Sequence, residues 1–551
     1  MELTLEQPTE FEQQGFVLKQ PNPITDDPNY RHLKTKALAH YRTLAQEQGA
    51  SFQWRPYQPE FATIYGLRRN NICALTLGLG KTLIAALLVA LLYDRQLGNL
   101  RPGAVQIVAP SKLSATSRWI PDLEKVKALR GYIKFLKNER DILESREPVW
   151  VYPQDFPKRK SKTVNGSLAK RIRRSGLSPN QLIIDEAHHL KRGSQRSEHL
   201  LYIRQRAKRC LLLSGTISDG RLELLDYLCW FAYQQHWPYN PKTFKQVFGS
   251  KRKVNSSYLY GSQEADQSKE VNHLAPNRLA EFSHLIERFV HRASYRDPNI
   301  YPYVTLPEEN VQVELLIPTE EHRRYYRETI RQNQQNLKKV AKQGNPKAPA
   351  LQLLNPVLSA SNTPPVPNRK LDRLRELVAE YASENRKTAV FAHAVASARY
   401  ITQALSEQFG IIRLYAQDPE VDPPETSEAQ RNRAVTEFMF NPEVPVGVFS
   451  YNLASESIDL TSAEQIIFYD YPWESVKVQQ ALFRVVRPGS VADRVRVVYL
   501  GNRGFIDEHQ HRLLAEKLNS TNLLLDFDRD AIQANRKDAI DVTEVVQQLI
   551  L

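Results

Sequence analysis

An apolar run, Ile72 to Leu75, leads into Thr76-Leu77-Gly78-Leu79-Gly80-Lys81-Thr82, and a second apolar stretch, Leu83 to Tyr93, follows at once. Strand, glycine turn and helix start in this order make a cradle for phosphate. Backbone N–H groups and the positive helix end face the anion, and only glycine lets the backbone approach closely, which is the part given to Gly78 and Gly80. The spacing gives Lys81 to the β- and γ-phosphates and the Thr82 hydroxyl to Mg²⁺. Farther on, Asp185-Glu186 directly follow the apolar run Leu182 to Ile184. Carboxylates at the carboxyl end of a parallel strand face the crevice where ligands bind. Asp185 is expected to hold Mg²⁺ through a water, and Glu186 to orient and deprotonate an attacking water. The chemistry such residues would support is phosphoryl transfer from ATP to water. Such a site hydrolyses slowly without a cation on the transferring group. Arg484 and Arg487, three residues apart and expected on one face of a helix, offer permanently charged, bidentate candidates.

Positioning these groups requires sheets. From Phe52 to about Leu228, apolar runs such as 104–108 and 181–184 alternate with helical patterns. Continuous apolar strands separated by helices indicate an α/β fold whose parallel sheet is covered on both faces. A second region of this kind, with strands expected at 388–391, 446–449, 465–469 and 494–499, carries the arginines. The expected organisation is a leader or accessory helical element over 1–50, with an amphipathic stretch at 30–48, and a first α/β domain over 51–235. A helical insertion over 236–342 and a proline-rich linker or loop over 343–369 follow. A second α/β domain over 370–505 and a helical tail over 506–551 complete it.

Composition narrows the class. Of 551 residues, 41% are hydrophobic and 25% charged, ordinary values for a globular chain. Seventy-five Lys and Arg face 61 Asp and Glu, a formal charge of +14. That surplus favours a polyanionic partner, because displaced counterions drive binding to phosphate backbones. The three cysteines, Cys73, Cys210 and Cys229, form no CxxC pair, so a zinc finger and a disulfide framework are not expected, and a reducing cytoplasm is. The N-terminal residues lack the charged and apolar regions of a signal peptide, and no apolar run is long enough to span a bilayer. The expectation is a cytoplasmic or nucleoid-associated protein.

The order Arg55-Pro56-Tyr57-Gln58, GLGKT, Asp185-Glu186-Ala187-His188-His189-Leu190-Lys191 and Ser214-Gly215-Thr216 resembles that of helicase superfamily 2 motors, most closely the Swi/Snf-type DNA translocases. The resemblance covers about residues 52–525. It implies two tandem RecA-like domains and an ATPase. It also implies a nucleotide-facing Tyr57 and Gln58, with Gln58 on the adenine edge, and coupling roles for His188, Ser214 and Thr216. Ala109-Pro110-Ser111-Lys112-Leu113, with Trp119 beyond, resembles the motif that grips a nucleic-acid backbone, which implies contacts from Ser111 and Lys112; His393 falls in another such motif. Gln479 to Gly489 resembles the last motif of the family, which implies finger roles for Arg484 and Arg487 and a coupling role for Gln480. The chain departs from the family pattern at Leu75, where the phosphate loop usually has glycine, at Ile217, and at the serine-rich Ser455 to Asp459.

Lys158 to Arg174 holds eight basic residues and no acid, either a solvated face or a phosphate-tracking loop. No sequence-reading module is visible, so binding is expected to be sequence-independent and salt-sensitive. The leading expectation is translocation along double-stranded DNA, with a separate protein partner setting the task. Strand separation on DNA or RNA, and an ATP-gated switch that binds a protein partner, are the alternatives.

Overall fold

The computed structural model describes residues 27–49, 52–111, 114–162, 166–174, 176–215, 222–255, 268–274, 278–295, 297–342, 350–415, 428–451, 458–512 and 514. These fall into two compact units, the first drawn from the chain up to Ser218 with Leu222–Gly249 and Asn277–Tyr303, the second mainly from Val304 onward.

The first unit is built on a seven-stranded, all-parallel sheet of order β3-β4-β2-β5-β6-β1-β9. Its strands are β1 (Asn70–Leu75), β2 (Val105–Ala109), β3 (Ile133–Phe135), β4 (Val149–Pro153), β5 (Gln181–Ile184), β6 (Arg209–Ser214) and β9 (Val290–Ala293). β2, β4 and β5 are buried at every position, as continuous apolar runs require when helices cover both faces. The apolar stretch after the glycine turn is the core helix Lys81–Tyr93, with eleven buried residues and an apolar surface all round. Against it and the helix Tyr57–Leu67 lies the helix Tyr30–Gln48, which buries Tyr30, Ala37, Tyr41 and Leu44. β7 (Gly249–Asn255) and β8 (Ser268–Leu274) form a separate two-stranded sheet.

The second unit holds a six-stranded parallel sheet of order β10-β15-β14-β11-β13-β12. Its strands are β10 (Glu308–Leu316), β11 (Lys387–Ala392), β12 (Ile411–Leu414), β13 (Val446–Ser450), β14 (Ala463–Phe468) and β15 (Arg494–Asn502). Strand periodicity splits its core in two. Ala389 and Phe391 face one cluster with Val478 and Ala481 of the helix Ser475–Val485. Val390 and Ala392 face another with Leu374 and Ile401 of the helices Arg369–Ser383 and Val395–Ser406.

Two segments differ from the sequence-based expectation. The stretch 236–342 is not purely helical, because β9 extends the first sheet and β10 the second. Both are edge strands paired on one side only. Neither needs a continuous apolar run, and Val311 and Val313 of β10 are about half exposed. In the expected linker, Ala350–Asn362 is a helix despite Pro356 inside it. Its Val357 and Ala360 pack with Tyr326 and Phe505, and that burial outweighs the lost backbone bond. Nearly all of the expected C-terminal tail lies outside the described residues. No described helix is long and apolar enough to cross a membrane.

Candidate nucleotide site

Tyr57 and Gln58 apart, the described candidate groups of the first unit follow the carboxyl ends of parallel strands, the side where such sheets bind ligands. The phosphate loop follows β1, Ser111 follows β2, Asp185 and Glu186 follow β5, and Ser214 ends β6. Gly78 and Gly80 have φ of 86° and 79°, a left-handed backbone that glycine adopts without strain. Gly80 also lies so close to Gln58 that a Cβ there would stand 2.3 Å from Nε2.

Lys81 and Thr82 are buried at the start of the core helix. The Lys81 ammonium donates to the carbonyls of Leu75 at 2.9 Å and Thr76 at 3.4 Å. Burial pushes its pKa down, against the pull of the nearby Glu186 and Asp185 carboxylates. The cation thus rests on backbone oxygens close to two acids without a direct ion pair to either.

Asp185 accepts the indole N–H of Trp119 at 2.9 Å and the backbone N–H of Glu186 at 2.9 Å. Burial, then the Glu186 charge, raises its pKa, while Arg118, Trp119 and Lys81 oppose the rise. Glu186 has φ 46°, a left-handed conformation uncommon for a non-glycine residue and often found at functional sites. Burial pushes its carboxyl up, but the His188 imidazole, then Lys81, pull harder and leave its pKa below the usual range. Glu186 Oε2 makes no aligned hydrogen bond; His188 Nδ1 stands 3.3 Å away. The same Nδ1 lies 3.0 Å from Ser214 Oγ. One imidazole nitrogen therefore stands between the acid and the end of β6.

Tyr57 and Gln58 reach the loop from the helix Tyr57–Leu67. The Tyr57 hydroxyl and Gln58 Nε2 each donate to the Leu79 carbonyl at 3.4 Å. Arg55 donates to the Gly78 carbonyl at 3.2 Å, and the Tyr295 hydroxyl donates to that of Leu77.

Several contributors were not legible as site residues in the sequence. Trp119, expected beside a backbone-gripping motif, is fully buried in a π-helical turn, Ala115–Trp119, and holds Asp185 instead. Gln154 donates to the Asp185 carbonyl at 2.7 Å, and its position directly after the apolar β4 is the signal that could have found it. Tyr295 and Arg118 carry no such signal. Ser111 accepts the backbone N–H of Ser114 at 3.1 Å, so its hydroxyl supports the turn after β2. Lys112 and Thr216 lie outside the described residues, as does 452–457.

The other candidates belong to the second unit. Gln480 and Arg484 are buried on the helix Ser475–Val485. Arg487 is not on that helix, contrary to the expectation of one shared face. Pro488 disfavours helical backbone at the residue before it, and the helix ends at Val485. Arg487 is partly exposed, with Nη1 3.9 Å from Asp459 Oδ2. His393 follows β11; its backbone N–H and that of Ala394 donate to Asp470, and burial lowers its imidazole pKa against the Asp470 charge. In the basic run, Arg159 donates to the Lys137 carbonyl at 3.0 Å and Lys158 pairs with Asp155 at 2.9 Å, so part of it serves the fold.

Two parallel α/β units, one with a glycine turn, a buried lysine and two acids at its strand ends, define a tandem RecA-like ATPase. Residues 45–363 match the SNF2-related domain and residues 369–489 the helicase conserved C-terminal domain. The chain belongs to the SNF2-related family and is an ATP-hydrolysing motor of helicase superfamily 2. It is 24% identical over 505 residues to the DNA annealing helicase and endonuclease ZRANB3 of Mus musculus, covering 88% of this chain and 42% of that protein. It is 30% identical over 232 residues to the SWI/SNF-related matrix-associated actin-dependent regulator of chromatin subfamily A containing DEAD/H box 1 of Homo sapiens, over 40% of this chain and 22% of that protein. The chain thus spans less than half the length of these relatives. A Sulfolobus solfataricus SWI2/SNF2 ATPase core solved with dsDNA matches over 88% of this chain and 97% of its own at a TM-score of 0.34 and 18% identity.

Proposed function

We propose that this motor hydrolyses ATP in order to translocate along double-stranded DNA without reading its sequence. The observation that carries the chemistry is the Lys81–Asp185–Glu186 group, in which a buried cation is held on carbonyls beside two acids of opposite pKa shift. Lys81 meets the β- and γ-phosphates, and Glu186, ionised and with one oxygen lacking an aligned partner, takes the proton of the attacking water. When bound, Mg²⁺ neutralises phosphate charge. Thr82 and Asp185 are its candidate holders, and their few oxygens suit an ion that keeps several waters and uses substrate phosphates. Among the described residues no cluster of three acidic, His or Cys side chains could cage a metal alone.

Arg487 and Arg484 serve as fingers on the transferring phosphoryl group, Gln480 couples them to the nucleotide, and Gln58 with Tyr57 receives the base. His188, between Glu186 and Ser214, relays hydrolysis to the end of β6 and onward through Thr216. Ser111, Lys112 and His393 are the backbone contacts. DNA as the track is supported by the charge of +14 and by similarity to a relative named a DNA annealing helicase and endonuclease. In this reading the two α/β domains, expected over 51–235 and 370–505, act as the two moving parts. A separate protein partner sets the biological task.

A triplex-displacement assay tests translocation. The expected result is ATP-dependent stripping of a third strand from an intact duplex, with no separation of a forked substrate. Fork separation without triplex stripping contradicts duplex tracking.

A further inference from the structure

Tyr41, on the helix Tyr30–Gln48, is wholly buried, its ring against Phe52 at 5.0 Å and Trp54 at 4.9 Å. Its hydroxyl meets two partners, the backbone N–H of Arg55 at 2.7 Å and Gln58 Oε1 at 3.1 Å. A backbone N–H can only donate, so the phenol oxygen accepts there and its single proton goes to Gln58. Burial pushes the hydroxyl up to about 12, and the proton stays on across the physiological range. At the other end of the amide, Nε2 faces the Leu79 carbonyl at 3.4 Å, which can only accept. The orientation of a glutamine amide is set by such a network, and here both ends agree.

The helix that carries Tyr41 is itself pinned beside the site. Lys34 pairs with Glu60 at 2.6 Å on the helix Tyr57–Leu67. Lys36 pairs with Asp94 at 2.6 Å and donates to the Leu91 carbonyl at 2.7 Å, at the end of the core helix. Gln58 in turn leans on Gly80, where any side chain would displace its amide nitrogen.

We propose that Tyr41 is a positioning residue for base selection, fixing which end of the Gln58 amide presents the acceptor to a purine edge and which the donor. Adenine presents the complementary pair, the N6 amino donor and the N7 acceptor. Guanine presents two acceptors, O6 and N7, and would set one of them against Oε1. The inference rests on the proposed role of Gln58 and adds that the accessory helix, together with the Leu79 carbonyl of the phosphate loop, fixes which base that residue accepts.

Equilibrium binding of ribose-labelled fluorescent ADP and GDP to the full chain tests it, in wild type, Tyr41→Phe, Gln58→Ala and the double variant. Tyr41→Phe keeps the ring and should lower the ADP-over-GDP preference about tenfold, as loss of one of two matched contacts does. In the Gln58→Ala background it should have no further effect. Three results overturn the proposal: a wild-type preference in Tyr41→Phe, a loss that persists when Gln58 is absent, or a preference that Gln58→Ala itself leaves intact. The last overturns the role of Gln58, while the first two spare it. Should Tyr41→Phe unfold, 4-fluorophenylalanine at position 41, nearly isosteric and lacking the donated proton, is read by the same criteria.

Discussion

The two units use the same architecture and treat buried charge in opposite ways. At the strand ends of the first sheet, Lys81 rests on carbonyls, Asp185 is pushed up in pKa, and Glu186 keeps one oxygen without an aligned partner. At the end of β15 in the second sheet, Lys370 and Asp507 form a fully buried ion pair at 2.9 Å. Asn362 accepts from that lysine at 2.7 Å. Ser361 and the backbone N–H of Asn502 complete the carboxylate at 2.8 Å each. Asp470 likewise serves two backbone donors after β11. Unsatisfied buried charge marks a place where a ligand completes the network; satisfied buried charge fixes the fold. By this measure the Glu186 oxygen without an aligned partner is where the proposed nucleotide chemistry fits, and the Lys370–Asp507 pair holds the second sheet together.

Substitutions can break this contrast. The largest effect is expected from Lys81→Ala, which removes the principal cation from the phosphates and should abolish both nucleotide binding and turnover; retained turnover would exclude the loop as the site. Arg487→Ala should lower kcat by about 10³-fold or more with nucleotide affinity kept, the signature of an arginine finger, read by binding and turnover in parallel. Glu186→Gln should lower kcat by about 10²- to 10⁴-fold, as loss of a general base does, while nucleotide still binds. In the second unit, Asp507→Asn leaves Lys370 buried without its counter-charge and should destabilise by about 3–5 kcal/mol, seen as faster amide exchange in β15 and β10. A loss no larger than that of a surface variant would show the pair to be dispensable.

The smallest effect concerns pH. His291 on β9 bonds Tyr65 at 2.7 Å, and burial, with the Arg68 charge, pushes its pKa down to about 4. The unfolded chain binds a proton at its ordinary value near 6.5, so stability is full above that pH and falls as pH drops toward 4, by on the order of 2 kcal/mol. His291→Gln should flatten denaturant midpoints across that window; an unchanged slope would assign the dependence to other groups.

Much of the first unit could be read because its chemistry is local in sequence. A glycine turn between strand and helix, and two acids after an apolar strand, are single uninterrupted segments. What escaped is carried by side chains distant in sequence. Trp119 from the π-helical turn and Gln154 from the end of β4 hold Asp185, and Tyr41 meets Gln58 from a preceding helix. Edge strands escaped for a different reason. β9 is four residues long with His291 and Arg292 between its two buried apolar residues, and β10 has no fully buried position, so neither carries the apolar run that reveals an interior strand. Three-residue spacing suggested a shared helical face for Arg484 and Arg487, and Pro488 ended the helix between them. The helix Ala350–Asn362 shows the reverse error, where packing against Phe505 outweighs a proline that local reading takes as a breaker.

The most direct test of the motor assignment is steady-state ATP hydrolysis by the purified chain, alone and with blunt duplex DNA, single-stranded DNA or RNA, with Glu186→Gln as the blank. Duplex translocation predicts strong stimulation by the duplex, little by either single strand, and loss of that stimulation with added salt. Equal or greater stimulation by single strands, or none by any nucleic acid while ATP still binds, would contradict it.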